Sequence, residues 1–341
     1  MTTLDELQTT IAAITQPGKG IVAADESLPT IGKRFAAVGI DATEENRRAY
    51  RSLLFTTPDA DLYLSGVILF EETLGQRDGE GTPLPQLLSR RGIVPGIKVD
   101  KGTTALPGAP GDLVTQGLDG LAERLKAYKA QGARFAKWRE VYGVTDANPT
   151  PLGIAANAEI LARYAAICQS EGIVPIVEPE VLIDGDHTME RCHEVSEAVL
   201  HAVFDALHRH RVLLEGVILK PSMVLPGKGH PPKADPELVA AATVKVLRRT
   251  VPAAVPTINF LSGGQAPEEA TANLNAMNAL FPNAPWVLSF SYARALQDPV
   301  MRLWAGRAEN VAAAQQAFRH RMRMNSLARQ GKWRPEMEGA D

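Results

Sequence analysis

Short apolar segments recur along the chain, and each of them ends at a polar or charged residue. Residues 217–219, read Val-Ile-Leu, lead directly into Lys220 and Pro221. Because proline has no N–H to donate to a β-ladder, the pattern predicts a buried strand that stops at this point. Seven other segments have the same form. The eight predicted strands end near residues 25, 70, 98, 137, 178, 220, 261 and 289.

Helical patterns, with apolar side chains every three or four residues, separate most of these strands. They cover residues 43–54, 118–132, 155–168, 189–209, 236–249 and 267–279. Asp235 followed by Pro236 has the form of an N-cap with proline in the first turn. Eight strands that alternate with helices predict a parallel sheet closed into one (β/α)8 barrel, a TIM barrel, over residues 1–341. A doubly wound open sheet is the alternative, but no G-x-G-x-x-G follows the first strand.

The bulk composition narrows the possible functions. With a net charge of −3 and a pI of about 6.2, the chain has no overall attraction to nucleic acid or to an anionic membrane. The two cysteines, Cys168 and Cys192, belong to no C-x-x-C motif, which favours a reducing compartment. Neither a secretory signal nor a membrane-spanning apolar run is visible, so we expect a cytoplasmic protein. The polar residues 330–341 predict a mobile tail.

Charged residues stand at the ends of most predicted strands, where a barrel places its active site. They include three lysines, Lys98, Lys137 and Lys220, and three carboxylates, Asp25, Glu71 and Glu178. A lysine amine that is desolvated and lies near a second cation has a lowered pKa, and the neutral amine can form a Schiff base with a carbonyl. On its own segment, Lys220 could equally be a lysine that extends from a strand end into solvent.

The remaining candidate residues suit proton transfer and phosphate binding. Glu178 and Asp25 can move protons if their protonation states differ. The sequence Ser262-Gly263-Gly264 offers unobstructed backbone N–H groups after the seventh strand, although a plain turn is the alternative. Residues that could bind phosphate or a second anionic group through their cationic side chains are Arg294, Lys98, Lys33 and Arg34.

Metal chemistry is the main competing possibility. His201 and His208 lie two helical turns apart, about 10 Å, which is too far to share a metal ion. No H-E-x-x-H motif occurs, and the segment from Asp184 to His187 lacks the rest of a calcium loop. We therefore interpret the histidines as surface or packing residues and expect no metal.

Several long motifs in one order resemble the class I fructose-bisphosphate aldolases, and the resemblance runs from about Leu7 to Trp333. The matching motifs are Ala-Ala-Asp-Glu-Ser at 23–27, Gly-Val-Ile-Leu-Phe at 66–70, Gly-Ile-Lys-Val-Asp-Lys-Gly at 96–102, Phe-Ala-Lys-Trp-Arg at 135–139, Ile-Val-Pro-Ile-Val-Glu-Pro-Glu at 173–180, Leu-Lys-Pro at 219–221, Phe-Leu-Ser-Gly-Gly-Gln at 260–265 and Ser-Phe-Ser-Tyr at 289–292.

The resemblance implies reversible, metal-independent cleavage of fructose 1,6-bisphosphate in glycolysis and gluconeogenesis, without a cofactor, by a homotetramer. It implies that Lys220 forms the Schiff base, with Lys137 beside it, Glu178 as acid and base, Asp25 orienting the substrate and Glu180 supporting the lysines. The implied phosphate-binding and substrate-binding residues are Ser27, Thr30, Lys33, Arg34, Lys98, Arg139, Ser262, Gly263, Gly264, Tyr292 and Arg294.

Three departures from the family pattern are visible. Ala293 replaces a common glycine, and Ser222 replaces a usual asparagine. Animal members carry a C-terminal tyrosine that assists proton transfer, whereas the last tyrosine in this sequence is Tyr292. Two alternatives remain at this stage: a Schiff-base lyase acting on another phosphorylated sugar, and a non-catalytic scaffold with the same fold.

Overall fold

The structure is a computed structural model, and it describes residues 2–339. In this part of the chain, parallel strands pair in the order β1-β2-β3-β6-β7-β8-β9-β10, and β10 pairs with β1 to close a barrel. This confirms the predicted TIM barrel. The barrel strands are β1 (Gly20–Ala24), β2 (Leu64–Leu69), β3 (Val94–Lys98), β6 (Phe135–Tyr142), β7 (Val174–Val181), β8 (Ile218–Leu219), β9 (Thr257–Phe260) and β10 (Val287–Tyr292). Two short strands, β4 (Thr103–Ala105) and β5 (Leu113–Thr115), form an antiparallel hairpin outside the barrel.

Helices cover the outside of the barrel. They are α1 (Thr3–Ile14), α2 (Leu28–Ala36), α3 (Glu44–Thr56), α4 (Ala60–Tyr63), α5 (Glu71–Gly75), α6 (Leu84–Arg90), α7 (Leu121–Ala130), α8 (Pro151–Ser170), α9 (Met189–Arg209), α10 (Pro236–Thr250), α11 (Pro267–Leu280), α12 (Arg294–Trp304) and α13 (Val311–Arg329). The predicted cap of α10 is confirmed, because the Asp235 side chain accepts a hydrogen bond from the N–H of Glu237. Such a bond satisfies a donor at the helix end that would otherwise have no partner.

The interior of the barrel is apolar at its amino-terminal end. Leu7, Ile11 and Ile14 of α1 pack there in a buried cluster with residues that include Phe135. The Phe135 ring lies so close to Gly96 that a Cβ on this glycine would come within 2.2 Å of it. With one end filled by hydrocarbon, polar side chains can gather only at the carboxyl-terminal end.

Three strands continue beyond their predicted ends. β6 extends to Tyr142, β7 to Val181 and β10 to Tyr292, whereas the predicted ends were near 137, 178 and 289. The predictions placed each end at the first charged or hydroxylated residue, because an isolated charge is costly inside a sheet. In β6 and β7 the charges pair with one another between the two strands, so these two strands continue through them.

The described part of the predicted tail contacts two helices on the outside of the barrel, α11 and α13. The Nε1–H of Trp333 donates to Glu338 at 3.0 Å, and Glu338 also pairs with Arg321 of α13 at 2.5 Å. The backbone N–H of Trp333 donates to Asn275 at 3.0 Å. Mobility of this segment stays a prediction, and residues 340–341 lie outside the described residues.

Candidate active site

A cavity of about 400 Å³ opens at the carboxyl-terminal mouth of the barrel. It is lined by most of the residues that the sequence singled out. Those that line it are Asp25, Ser27, Thr30, Lys33, Arg34, Lys98, Lys137, Arg139, Glu178, Glu180, Lys220, Ser262, Gly263 and Arg294. Residues scattered over most of the chain therefore meet in one place.

Lys220 stands at the end of the short strand β8, and its side chain is almost completely buried. Its backbone N–H donates to the carbonyl of Val177 at 2.8 Å, which ties this position to β7. Pro221 then ends the ladder, as the sequence predicted. The ammonium nitrogen Nζ lies 3.1 Å from Oε1 of Glu178, so a proton can pass between this amine and the carboxylate.

Lys137 reaches the same carboxylate from β6. Its Nζ lies 3.2 Å from Oε2 of Glu178 and 2.6 Å from Oδ2 of Asp25, and all of these side chains are buried. Glu178 thus lies between the two lysines, with one oxygen toward each. Asp25 forms an ion pair with Lys137 only, among the contacts of the described residues.

This asymmetry gives the two lysines opposite pKa shifts. Burial lowers the pKa of Lys137, but the carboxylates of Asp25 and Glu178 outweigh it, so the pKa lies above its ordinary value. Burial also lowers the pKa of Lys220; here the charge of Lys137 adds to that effect, and Glu178 only partly opposes it. Lys137 therefore keeps its proton, and Lys220 is the amine that loses one more readily.

The two carboxylates remain ionised in this setting. Burial raises the pKa of Asp25, but Lys137 and Lys220 reverse that effect and bring it down to about 2. The same two lysines hold the pKa of Glu178 below its ordinary value against the effect of burial. An ionised Glu178 is ready to accept a proton before it donates one.

A second ion pair, between Arg139 and Glu180, lies nearer the opening of the cavity. Nε of Arg139 donates to Oε2 of Glu180 across β6 and β7. Burial lowers the pKa of Arg139, but Glu180 raises it further, to above the ordinary value. The resemblance implied that Glu180 supports the lysines. In the described structure its ion-pair partner is Arg139 instead, because Glu178 already lies between the amines.

One group of anion-binding candidates surrounds the start of α2. Ser27 is the N-cap of this helix, and its Oγ lies 3.0 Å from Oγ1 of Thr30. Lys33 lines the cavity one turn further on, and Lys98 approaches from β3 with its Nζ 2.9 Å from Asp100. Hydroxyl groups, a helix N-terminus and two cations together suit a phosphate.

Arg34 belongs to the same region, but its guanidinium is already paired. It binds the buried carboxylate of Glu26, and its Nη2 lies 2.9 Å from Asp298. Arg51 contacts Glu26 from the other side at 2.6 Å. The sequence reasoning missed Glu26, although its place directly after Asp25 at the end of β1 was a usable signal. Arg34 therefore lines the cavity, but its guanidinium is held by the carboxylates of Glu26 and Asp298.

The second group of anion-binding candidates follows β9 and β10. Ser262, Gly263 and Arg294 line the cavity, whereas Gly264 lines a neighbouring cavity instead. The φ angles of Gly263 and Gly264 are 56° and 90°, a left-handed conformation that favours glycine. Contact between Gly264 and the ligand stays a prediction, because this residue lines only the neighbouring cavity.

Tyr292 is also misplaced by the sequence prediction. Its ring is fully buried on the outer side of β10, and its hydroxyl donates to the carbonyl of Ala270 at 3.0 Å. Side chains alternate along a strand, so its neighbours Ser291 and Ala293 line the cavity instead. The Ser291 hydroxyl is buried and has no hydrogen-bond partner among the described residues, so it is free to bind a ligand.

Ala293, which departs from the family pattern, does not occupy a position whose φ angle requires glycine. It is the residue before α12 and has a φ of −102°, a value open to any amino acid. Its methyl group faces the cavity beside Arg294, so this side of the cavity is narrower by one methyl than a glycine would leave it.

The described residues contain neither a metal-binding cluster nor a membrane-spanning helix. No group of three or more His, Cys, Asp or Glu side chains in residues 2–339 has the geometry to hold a metal ion. Over the same residues, no helix has the length and apolar character needed to cross a membrane.

The fold and the cavity define a (β/α)8 barrel with ionised groups gathered at the carboxyl ends of its strands. The family model described as "Fructose-bisphosphate aldolase class-I" matches residues 6–341. A cytoplasmic fructose-bisphosphate aldolase isozyme of Spinacia oleracea is 56% identical over 99% of this chain and 94% of its own length. A probable class 1 fructose-bisphosphate aldolase of Xanthomonas campestris is 54% identical over 97% of this chain and 99% of its own.

A solved structure extends the likeness to three dimensions. Fructose-bisphosphate aldolase from Plasmodium falciparum, crystallised with TRAP and a small-molecule inhibitor, superposes with a TM-score of 0.95 and 51% sequence identity. The match covers 97% of this chain and 96% of that one. The chain belongs to the class I fructose-bisphosphate aldolase family, which confirms the family named from its motifs.

Proposed function

We propose that the protein cleaves fructose 1,6-bisphosphate reversibly to dihydroxyacetone phosphate and glyceraldehyde 3-phosphate through an imine on Lys220. The observation that carries the proposal is that Nζ of Lys220 and Nζ of Lys137 lie 3.1 and 3.2 Å from the two carboxylate oxygens of Glu178. One amine has a lowered pKa, one ammonium keeps its charge, and a carboxylate lies between them. A neutral amine next to a proton carrier is what imine formation requires.

The first half of the reaction builds the imine. The neutral Nζ of Lys220 attacks C2 of the ketone, and the C2 oxygen takes a proton from solvent water to become a hydroxyl, which the charge of Lys137 stabilises. Glu178, which has accepted the proton released by the amine, donates it to this hydroxyl, and water leaves. The product is a protonated imine, which withdraws electrons from C3.

The second half breaks the C3–C4 bond. A carboxylate, Glu178 with Asp25 beside it, removes the proton of the C4 hydroxyl. The C3–C4 electron pair then moves toward the imine carbon and leaves an enamine, and the aldehyde product departs. Protonation of C3 and addition of water to C2 release dihydroxyacetone phosphate and restore the Lys220 amine. Each proton taken up in one step is returned in another, so no net acid or base is consumed.

We assign the two anion-binding regions to the two phosphates of the substrate. The turn at Ser262 and Gly263 follows β9, which is the neighbour of β8, so we assign to it the phosphate nearer to the imine carbon. Ser27, Thr30, Lys33 and Lys98 would bind the phosphate at the other end of the sugar. Arg139 and the free hydroxyl of Ser291 are available for the sugar hydroxyls.

The wider setting follows from the family and the composition. We infer a cytoplasmic homotetramer acting in glycolysis and gluconeogenesis on a small-molecule phosphosugar, without a metal or other cofactor. Relatives named as cytoplasmic or cytosolic isozymes support the location. The net charge of −3 gives the protein no general attraction to nucleic acid or to an anionic membrane, and we propose neither as a partner.

Reduction with borohydride tests the proposal. Treatment in the presence of dihydroxyacetone phosphate should join the substrate carbon to Lys220 in a stable secondary amine, which peptide mapping would locate. Lys220→Ala should lose both the adduct and nearly all turnover, whereas Lys233→Ala, a change at an exposed lysine outside the active-site cavity, should keep the adduct. Full activity in Lys220→Ala would contradict the imine mechanism. Activity lost in EDTA and restored by zinc would favour a metal-dependent aldolase instead.

A further inference from the structure

A lysine outside the family motifs, Lys228, lines the neighbouring cavity together with Gly264, the residue after the proposed phosphate-binding residues Ser262 and Gly263. It belongs to the loop between β8 and α10, and its side chain extends toward the turn that follows β9. A Cβ built on Gly264 would lie 2.7 Å from Nζ of Lys228 and 3.1 Å from Nη2 of Arg294. The two cationic groups therefore face the same side of one glycine residue.

The position of Lys228 is set by the backbone. The N–H groups of Gly227, Lys228 and Gly229 donate to carbonyls of the loop after β7, each at 2.8 Å. A Cβ on Gly227 would come within 2.5 Å of the Gly185 carbonyl oxygen, so only glycine permits this close approach of the two loops. The Nζ atom also pairs with Asp184 at 3.1 Å. Although the side chain is about half exposed, it is directed by these contacts rather than free in solvent.

The positive charges of Lys228 and Arg294 are not fully balanced by acidic side chains in the described structure. Two neighbouring cations repel each other unless an anion lies close to both. Asp184 is 71% exposed, so its neutralisation of Lys228 is strongly screened by solvent. Arg294 has no ion pair with an acidic residue in the described structure. A dianionic phosphate held by Ser262, Gly263 and Arg294 would supply the missing negative charge.

We propose that Lys228 is a further phosphate-binding residue for the substrate phosphate nearer to the imine carbon. This inference rests on the proposed function, because it assigns an additional contact within that site. The long, flexible stem of lysine lets the ammonium move a few ångströms from Asp184 to a phosphate oxygen. Among the described residues Lys228 forms its ion pair with Asp184 and none with the groups around the buried lysines, so we assign to it a role in binding and not in bond breaking.

The test compares Lys228→Gln with Lys233→Gln. Both changes remove one positive charge from the same loop, but Lys233 is 80% exposed and pairs with Glu269, so it serves as the matched control. For Lys228→Gln we expect KM for fructose 1,6-bisphosphate to rise about three- to tenfold, the range for losing one partly exposed charged contact, with kcat nearly unchanged. Lys233→Gln should behave like the wild type, and Lys228→Arg should restore most of the affinity.

A second substrate separates the two phosphates. Fructose 1-phosphate carries only the phosphate nearer to the ketone, so Lys228→Gln should raise its KM by the same factor. An unchanged KM for fructose 1-phosphate would overturn the assignment to this phosphate. Equal effects in Lys228→Gln and Lys233→Gln would show that only the general charge of the loop matters, and this too would overturn the inference.

A binding measurement keeps this inference distinct from the proposed function. Glycerol 3-phosphate has no ketone and cannot form an imine, so calorimetry with it reports phosphate binding alone. Weaker binding to Lys228→Gln than to Lys233→Gln supports the inference, and equal binding contradicts it. A wild-type protein without turnover or a borohydride adduct would refute the proposed function, whatever glycerol 3-phosphate shows.

Discussion

Replacing Lys137 by methionine tests how the site keeps Lys220 reactive. Methionine has nearly the same length but no charge, so the change removes a cation while filling the same space. Lys137 and Lys220 contact the two oxygens of one carboxylate, at 3.2 and 3.1 Å. Their amines are therefore roughly 6 Å apart, and at an effective dielectric constant of about 20 they repel by about 3 kcal/mol when both are charged.

This repulsion corresponds to about two pKa units at Lys220. Removal of Lys137 should therefore raise the pKa of Lys220, and Asp25, now without its partner, would raise it further. Water in the cavity screens part of the effect, so we expect an increase of about one to two units. At neutral pH the fraction of neutral amine then falls at least tenfold.

Covalent labelling measures this pKa without substrate. The rate at which trinitrobenzenesulfonate modifies Lys220, followed by peptide mapping across a pH series, reports the neutral amine directly. Lys98→Met is the control, because Lys98 lines the same cavity but is paired with Asp100 at 2.9 Å. A pKa in Lys137→Met equal to or below that of the wild type would refute the reasoning, as would an equal shift in Lys98→Met.

Two further predictions concern the barrel itself. Gly96→Ala should lower the free energy of unfolding by about 1–3 kcal/mol, because its Cβ would come within 2.2 Å of the buried Phe135 ring. Gly75 has open space around it, so Gly75→Ala should lower the free energy of unfolding much less in the same denaturation experiment. Burial raises the pKa of Glu140 from 4.5 to about 7. Its ionisation therefore opposes folding, stability should fall as the pH rises between these values, and Glu140→Gln should flatten that part of a plot of Tm against pH.

Much of the fold could be read from local patterns. Apolar runs ending at a polar residue, separated by segments of helical spacing, predicted each barrel strand and the alternation that closes a barrel. The cap at Asp235 was equally local, because a capping side chain contacts a backbone N–H only a few residues away. Strand ends were less accurate: at Lys137 and Glu178 the chain continues as a strand, since these two charges pair with each other between the neighbouring strands β6 and β7.

The composition of the candidate site was also visible in the sequence, but its internal pairing was not. A strand that ends in lysine and proline already indicated a special role for Lys220. Nothing in the local pattern showed that Asp25 would pair with Lys137, or that Glu180 would pair with Arg139 rather than with a lysine. The outward direction of Tyr292 likewise depends on the length of β10, which was predicted too short.

The sequence by itself determined the order and type of the elements and the set of groups available at the barrel mouth. The tertiary structure decided which lysine keeps its proton. That choice depends on distances between Lys137, Lys220 and the carboxylates near them, and these side chains come from strands separated by about 40 residues or more. The hydrophobic periodicity shows which face of a helix or strand is buried. A pKa depends instead on nearby charges, and only the closure and register of the barrel bring those charges within a few ångströms.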